Sequence, residues 1–183
     1  MPQAVVDIHR DHVEKAMKGH SSAQKQLYQL YSRAMFNICC RMMNNQADAE
    51  DMLQEAFAEA FRRLETFRFE STFGAWVKRI TINKCINELK RRRIQLEYTD
   101  HTPGIEPLDD TDEPPEPSLS AERIRHAMAL LPDGYRVVFS LYLLEGYDHE
   151  EIASILNISE STSKSQLMRA KKKIIDIIKA GCN

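Results

Sequence analysis

Between Ile94 and Ser118 lies a stretch that a packed fold has no use for. IQLEYTDHTPGIEPLDDTDEPPEPS holds five of the chain's seven prolines and eight acidic residues, with no Lys or Arg. Proline removes backbone donors and like charges repel, so the stretch is expected to form neither a core nor a helix. A chain of 183 residues interrupted there is expected to fold as two small domains, 1–93 and 119–183, joined by a flexible acidic linker, 94–118. The formal net charge of −2 hides this division. Residues 1–93 carry 16 basic against 11 acidic side chains, a net of +5; the linker carries −8; residues 119–183 carry 9 against 8, a net of +1. Fully extended, the linker could reach about 80 Å, against roughly 70 Å for two turns of duplex, so the flanking modules could touch separated sites.

Both flanking segments place apolar residues every three or four positions and neither alternates for long, which predicts an all-α protein. Ser21 with Gln24 resembles a capping box opening a helix to about Met43, striped by Leu27, Leu30, Tyr31, Ala34 and Ile38 and closed by Asn44-Asn45. A further helix is predicted from about Asp48, with Leu53, Ala56, Phe57, Ala60, Phe61 and Leu64 on one side, and another from about Thr72 to Arg93. Beyond the linker, helices are expected at 119–131, 134–145, 149–156 and 160–179, separated by Pro132, Gly146 and the Asn157-Ile158-Ser159 turn.

The last two of these helices have the compass of a helix-turn-helix. Ile152, Ala153, Leu156, Ile158, Leu167 and Ala170 are expected to face inward, leaving Thr162, Ser165, Gln166, Arg169 and Lys173 on the other side. Gln suits adenine and Arg suits guanine or phosphate in a major groove, while Lys164 and Lys171-Lys172-Lys173 could neutralise backbone charge. An ordinary solvated amphipathic helix would show the same faces. Ser163 is out of place, because such helices usually bury an aliphatic residue there.

In the N-terminal half, Asp51, Gln54 and Glu55 share a helical face away from the Leu53, Phe57 and Phe61 stripe. That face could grip a basic partner helix, or simply be solvated and complement the helix dipole. The following stretch, FRRLETFRFESTFGAWVKRITINKCINELKRRR, interleaves Phe61, Phe67, Phe69, Phe73 and the single tryptophan, Trp76, with Arg62, Arg63, Arg68, Lys78, Arg79, Lys84 and the run Lys90 to Arg93. Aromatics among cations suit unpaired DNA, since bases stack on rings while Lys and Arg track phosphates. Asn83 and Asn87, one turn apart, add base-edge hydrogen bonding and continue toward Arg91. Phe61, Phe73 and Trp76 can also be read as core, a reading preferred for Phe61 and extended to Trp76; for the Arg68-Phe69-Glu70-Ser71 loop the nucleic-acid reading is preferred.

Taken in order, these segments resemble a bacterial RNA polymerase sigma factor of the extracytoplasmic-function type. DAEDMLQEAFAEAFRRLETF is similar to the family's core-polymerase-binding segment, FGAWVKRITINKCINELKRRR to its promoter-melting helix, and the stretch from Leu131 to Lys173 to its C-terminal domain. The resemblance implies that Asp51, Gln54 and Glu55 bind core RNA polymerase. It implies that Arg68, Phe69, Glu70, Ser71, Phe73, Trp76, Arg79, Asn83, Lys84, Asn87 and Arg91 hold melted promoter DNA. It implies further that Thr162, Lys164, Ser165, Gln166, Arg169 and Lys173 read the upstream promoter element as duplex, and that an anti-sigma factor restrains the protein. Ser163 and Gln166 depart from the family's usual Val and Arg, which bears on the promoter sequence more than on the class.

Other classes fit less well. An autonomous helix-turn-helix regulator would bind a palindrome tightly by itself, and leaves the cationic-aromatic loop and the Asp51 face unused. No Gly-rich phosphate loop, nucleophile elbow or H-E-x-x-H motif occurs, the six histidines are scattered, and the four cysteines include no C-x-x-C pair. Neither enzymatic activity, a metal nor a cofactor is therefore expected, and the cysteines are read as reduced, mostly buried thiols. His9 and His12 could share a helical face, but a frayed N-terminus is the expectation. No apolar run approaches the roughly 20 residues of a membrane span and MPQAVVDIHRDHVEK lacks an apolar signal core, so a cytoplasmic protein without membrane insertion is expected.

Overall fold

The structure, a computed structural model, describes residues 7–97 and 121–180; of 93–97 only the helical backbone is described. The described residues are helical and contain no strand. They belong to two compact units, Met1–Glu88 and Leu89–Asn183. The acidic segment from residue 98 onward, and Cys182, lie outside the described residues.

The first unit is built from α1 (Arg10–Met17), α2 (Ser21–Met43), α3 (Gln46–Arg62), a 3-10 turn (Leu64–Thr66) and the beginning of α4 (Phe73–Glu97). α2 packs against both α1 and α3. Its buried ridge is Leu27, Met35, Ile38, Cys39 and Met42, whereas Leu30 and Ala34 of the expected stripe face solvent. Both lie within about 60° of Leu27 at 100° per residue, so the helical period alone does not decide which side chains of that stripe are covered. Val13, Leu27, Met42, Leu64, Phe73, Val77 and Ile82 are fully buried or nearly so, and each such side chain contributes about 1.5–3 kcal/mol of transfer free energy.

Three sequence expectations are corrected here. The cap of α2 is His20, not Ser21: Ala23 N and Gln24 N donate to His20 O, and no side chain caps that end. The N-terminus is not frayed from residue 7 onward, because α1 is anchored by Val13 and Ala16. α4 does not stop at Arg93 but runs to Glu97, so the first four residues of the acidic segment are helical; its prolines begin only at Pro103, too late to terminate the helix. Asn44 does close α2 in a left-handed conformation, and Asn45 opens α3 by accepting from Asp48 N at 3.1 Å. Cys39 and Cys85 face each other across α2 and α4 with their sulfurs 3.8 Å apart, both buried as free thiols. The hydrogen bond to Cys39 and burial push the Cys85 thiol well above its usual range, so it stays protonated.

The second unit contains α5 (Ala121–Ala129), α6 (Asp133–Phe139), a π turn (Ser140–Leu144), α7 (His149–Leu156) and α8 (Glu160–Ala180). α8 is the hub, touching α5, α6 and α7. The single helix expected at 134–145 is instead α6 followed by the π turn, where Glu145 N reaches back to Ser140 O. Asp148 and Glu151 form a reciprocal capping box on α7. Asn157, left-handed at φ 57°, turns the chain into α8, and Ser159 caps it by accepting from Thr162 N at 3.0 Å. α7, this turn and α8 are a helix-turn-helix.

Candidate nucleic-acid interface

On α3, Asp51, Gln54 and Glu55 are exposed together, while Met52, Leu53, Ala56 and Phe57 are buried on the other side. The acidic face is not isolated from the cationic helix that follows it. Lys84 of α4 places its Nζ 3.6 Å from Glu55 Oε2 and 4.0 Å from Glu59 Oε2. Glu59, with a side chain only 17% exposed, also pairs with Arg62 and Arg63. Among the cations expected at melted DNA, Lys84 is thus turned toward the acidic side. Sequence reasoning passed over Glu59, although its spacing from Arg62 and Arg63, three and four residues on, was a readable signal.

The loop between the 3-10 turn and α4 sorts its aromatic residues. Phe73 is 0% exposed, its ring 5.3 Å from Tyr31 and 5.9 Å from Trp76, with Phe67 at 6.1 Å. It cannot take a base without vacating the core, which corrects its place among the DNA-contacting residues. Phe67 is also buried, with Trp76 half-buried against it at 5.2 Å. Phe69 is different: half-exposed, left-handed at φ 57°, its ring 4.9 Å from that of Phe67 and covered by the Arg10 guanidinium at 4.5 Å. A non-glycine residue held there costs about 1–3 kcal/mol, which the ring pair at about 0.5–1.5 kcal/mol and the cation–π contact at about 0.5–1 kcal/mol can together offset. Arg68 and Glu70 beside it are exposed and Ser71 is half-buried.

Along α4, Arg79, Asn83, Asn87 and Arg91 are exposed and recur every four residues, whereas Val77, Ile80, Thr81, Ile82, Cys85 and Ile86 are buried. Thr81 satisfies its buried hydroxyl by donating to Val77 O at 2.9 Å. The helix therefore presents a cationic and amide ridge with base-edge hydrogen-bonding capacity next to the one half-exposed ring of the loop. Gly74 was also missed from sequence: a Cβ there would meet the Tyr31 ring at 2.7 Å, so the start of α4 is shaped to that ring.

In the second unit, Ser163 is 0% exposed, and the reason it can replace an aliphatic residue is His149. The Ser163 hydroxyl lies 2.9 Å from His149 Nδ1, and the imidazole stacks on Tyr142 at 4.5 Å. A buried polar group is tolerated where its hydrogen bond is made. Replacing Ser163 with Ala is expected to weaken the α7–α8 contact by about 1 kcal/mol, read as faster hydrogen exchange of α8 amides in the full chain. Of the expected duplex-reading residues, Arg169 and Lys173 stand exposed one turn apart, with Lys171 and Lys172 beside them. Lys164 pairs with Glu160 at 2.6 Å, Thr162 bonds the Ser159 hydroxyl at 2.7 Å, and Ser165 donates to Ser161 O and Thr162 O. Gln166 is a correction: it is half-buried, and its Oε1 is buried without a partner over Gly134 of α6. Its carbonyl end packs beside Gly134, on the fold side of α8.

Residues 27–94 match the family model described as Sigma-70 region 2, and residues 121–174 match Sigma-70, region 4. The chain is 31% identical over 172 residues to the ECF RNA polymerase sigma-E factor of Haemophilus influenzae, covering 88% of this chain and 90% of that one. It is 28% identical over 172 residues to the RNA polymerase sigma-H factor of Pseudomonas aeruginosa, covering 88% and 89%. Two solved structures share the fold, each at a TM-score of 0.57. CnrH, in complex with the cytosolic domain of CnrY, is 24% identical and the match covers 95% of this chain and 99% of that one. The sigma factor RpoE of Bartonella quintana, in complex with the anti-sigma factor NepR, is 22% identical and covers 85% and 96%. Among the described residues no helix is long and apolar enough to cross a membrane.

Proposed function

Because the chain belongs to the sigma-70 family, in its extracytoplasmic-function (ECF) branch of RNA polymerase sigma factors, we propose that its two units divide promoter recognition between duplex and melted DNA. The protein directs promoter-specific initiation of transcription. In this division Asp51, Gln54 and Glu55 hold core RNA polymerase. Phe69 stacks on an unpaired promoter base with Arg68, Glu70 and Ser71 around it, and Trp76 supports the loop from behind. Arg79, Asn83, Asn87 and Arg91 follow the exposed strand. Arg169 and Lys173 lead the reading of the upstream duplex, helped by Thr162, Lys164 and Ser165. The observation that carries this reading is the partition of the first unit's surface: an acidic and amide face on α3, a cationic and amide ridge on α4, and Lys84 bridging to Glu55.

No bond chemistry is proposed. Extruding a base costs a few kcal/mol, and one stacking contact with a hydrogen bond largely offsets that cost. The modest positive charge of each half implies weak binding to DNA alone, so selectivity arises when polymerase raises the effective concentration of both units at the promoter. An anti-sigma factor, as captured with the Bartonella quintana neighbour, is proposed as the restraint on this chain.

The test is transcription by purified core polymerase from a promoter library. Arg169→Ala is expected to relax the upstream preference by about tenfold, the value of one lost bidentate base contact, while Asn83→Ala relaxes selection nearer the start. Unchanged promoter choice in both variants would remove the proposed division of labour. Tight binding of a palindrome by the protein without polymerase would favour the autonomous regulator instead.

A further inference from the structure

The stretch from Asp7 to Arg10, the first residue of α1, is tied to the loop proposed to take the base at two separate points. Asp7 accepts from Phe73 N at 2.6 Å through Oδ2 and from His9 N at 2.9 Å through Oδ1. His9 Nδ1 lies 2.7 Å from the Tyr31 hydroxyl, with the two rings edge to face at 5.5 Å, and Tyr31 lies in turn against Phe73. One residue further on, Arg10 covers the Phe69 ring, and its Nε donates to Glu14 at 2.8 Å, a second anchor for the guanidinium. The first contact closes the loop where it enters α4; the second sits at its left-handed residue. Neither group is needed to fill the core, since Asp7 is half-buried and Arg10 exposed.

We infer that Asp7 and Arg10 are positioning residues for capture of the unpaired base. Asp7 supplies a carboxylate cap to the first residue of α4, fixing where the loop ends and the helix begins. Arg10 holds Phe69 in a backbone conformation it would otherwise leave, with its ring presented in one orientation. An unanchored loop would have to be ordered at the moment of capture, and part of the stacking free energy would be lost to that ordering. The inference rests on the reading of Phe69 as the base-stacking residue.

The test uses holoenzyme assembled from the full chain and core polymerase, on two promoters that differ only at the captured base, with opening followed by 2-aminopurine fluorescence beside that position. The quantity read is the ratio of opening rates on the favoured and disfavoured promoter. A variant that merely lowers the amount of folded factor slows both promoters alike and leaves the ratio unchanged. Asp7→Ala and Arg10→Ala are each expected to reduce the ratio by about five- to tenfold, the scale of a lost cap or cation–π contact. Asp7→Asn, which keeps one acceptor oxygen for Phe73 N but presents an amide NH2 to His9 N, is expected to restore about half of the lost ratio, whereas Arg10→Lys, which cannot lie flat on a ring, restores little. If Phe69→Ala collapses the ratio while Asp7→Ala and Arg10→Ala leave it intact, the positioning role is wrong and base stacking stands. If Phe69→Ala itself leaves the ratio intact, the stacking assignment falls and takes this inference with it.

Discussion

Asp51→Lys should cost the protein its association with core RNA polymerase, by about 100-fold in affinity, while leaving its helix content unchanged. Asp51 is exposed in the second turn of α3, and its neighbours toward the core, Met52 and Leu53, keep their packing in the variant. A hydrogen bond to a charged group contributes about 1.5–3 kcal/mol, and reversing the sign adds repulsion from a basic partner. Glu55 is the less clean choice for this experiment, because it also meets Lys84. Co-elution with polymerase on size exclusion is the readout. Retention at wild-type level would place the polymerase contact elsewhere on the first unit.

Phe73→Ala is expected to destabilise the first unit by about 3–5 kcal/mol, the cost of removing a fully buried aromatic ring, against a total of about 5–15 kcal/mol for a whole domain. Trp76, the single tryptophan, is half-buried in the same cluster and reports this unit's unfolding in urea by fluorescence. Phe69→Ala, by contrast, should cost less, about 1–2.5 kcal/mol: it removes the ring pair and the cation–π contact and leaves a smaller residue in a conformation that strains either one. The pair of variants therefore separates a ring that builds the fold from a ring available to DNA. Equal destabilisation by both would mean that Phe69 belongs to the core after all.

This difference between Phe69 and Phe73 also marks where local reading stops. Both stand four residues apart in one cationic-aromatic stretch, and nothing in that spacing says which is covered. Phe73 is covered because Tyr31, 42 residues earlier, lies against it. Ser163 is similar: as a departure from an aliphatic pattern it was visible, but its partner His149 is across the helix-turn-helix. Asp7, 66 residues from the backbone N–H it caps, left no pattern at all. The exposed faces fared better. Asp51, Gln54 and Glu55 on α3, and Arg79, Asn83, Asn87 and Arg91 on α4, are solvent-facing as their periods required, since a helix surface is set by neighbours three and four residues away.

Helical class, the interruption by an acidic proline-rich stretch, the helix-turn-helix and the polarity of each exposed face follow from residues close together along the chain, where a 3.6-residue period and proline chemistry act directly. Which ring is buried, which buried hydroxyl is satisfied, where Gln166 points and what anchors the base-capture loop depend on pairs distant in sequence. Such pairs meet only once the helices have packed, and their contacts are set by shape and hydrogen bonding at the packed surface, for which a linear pattern carries no period.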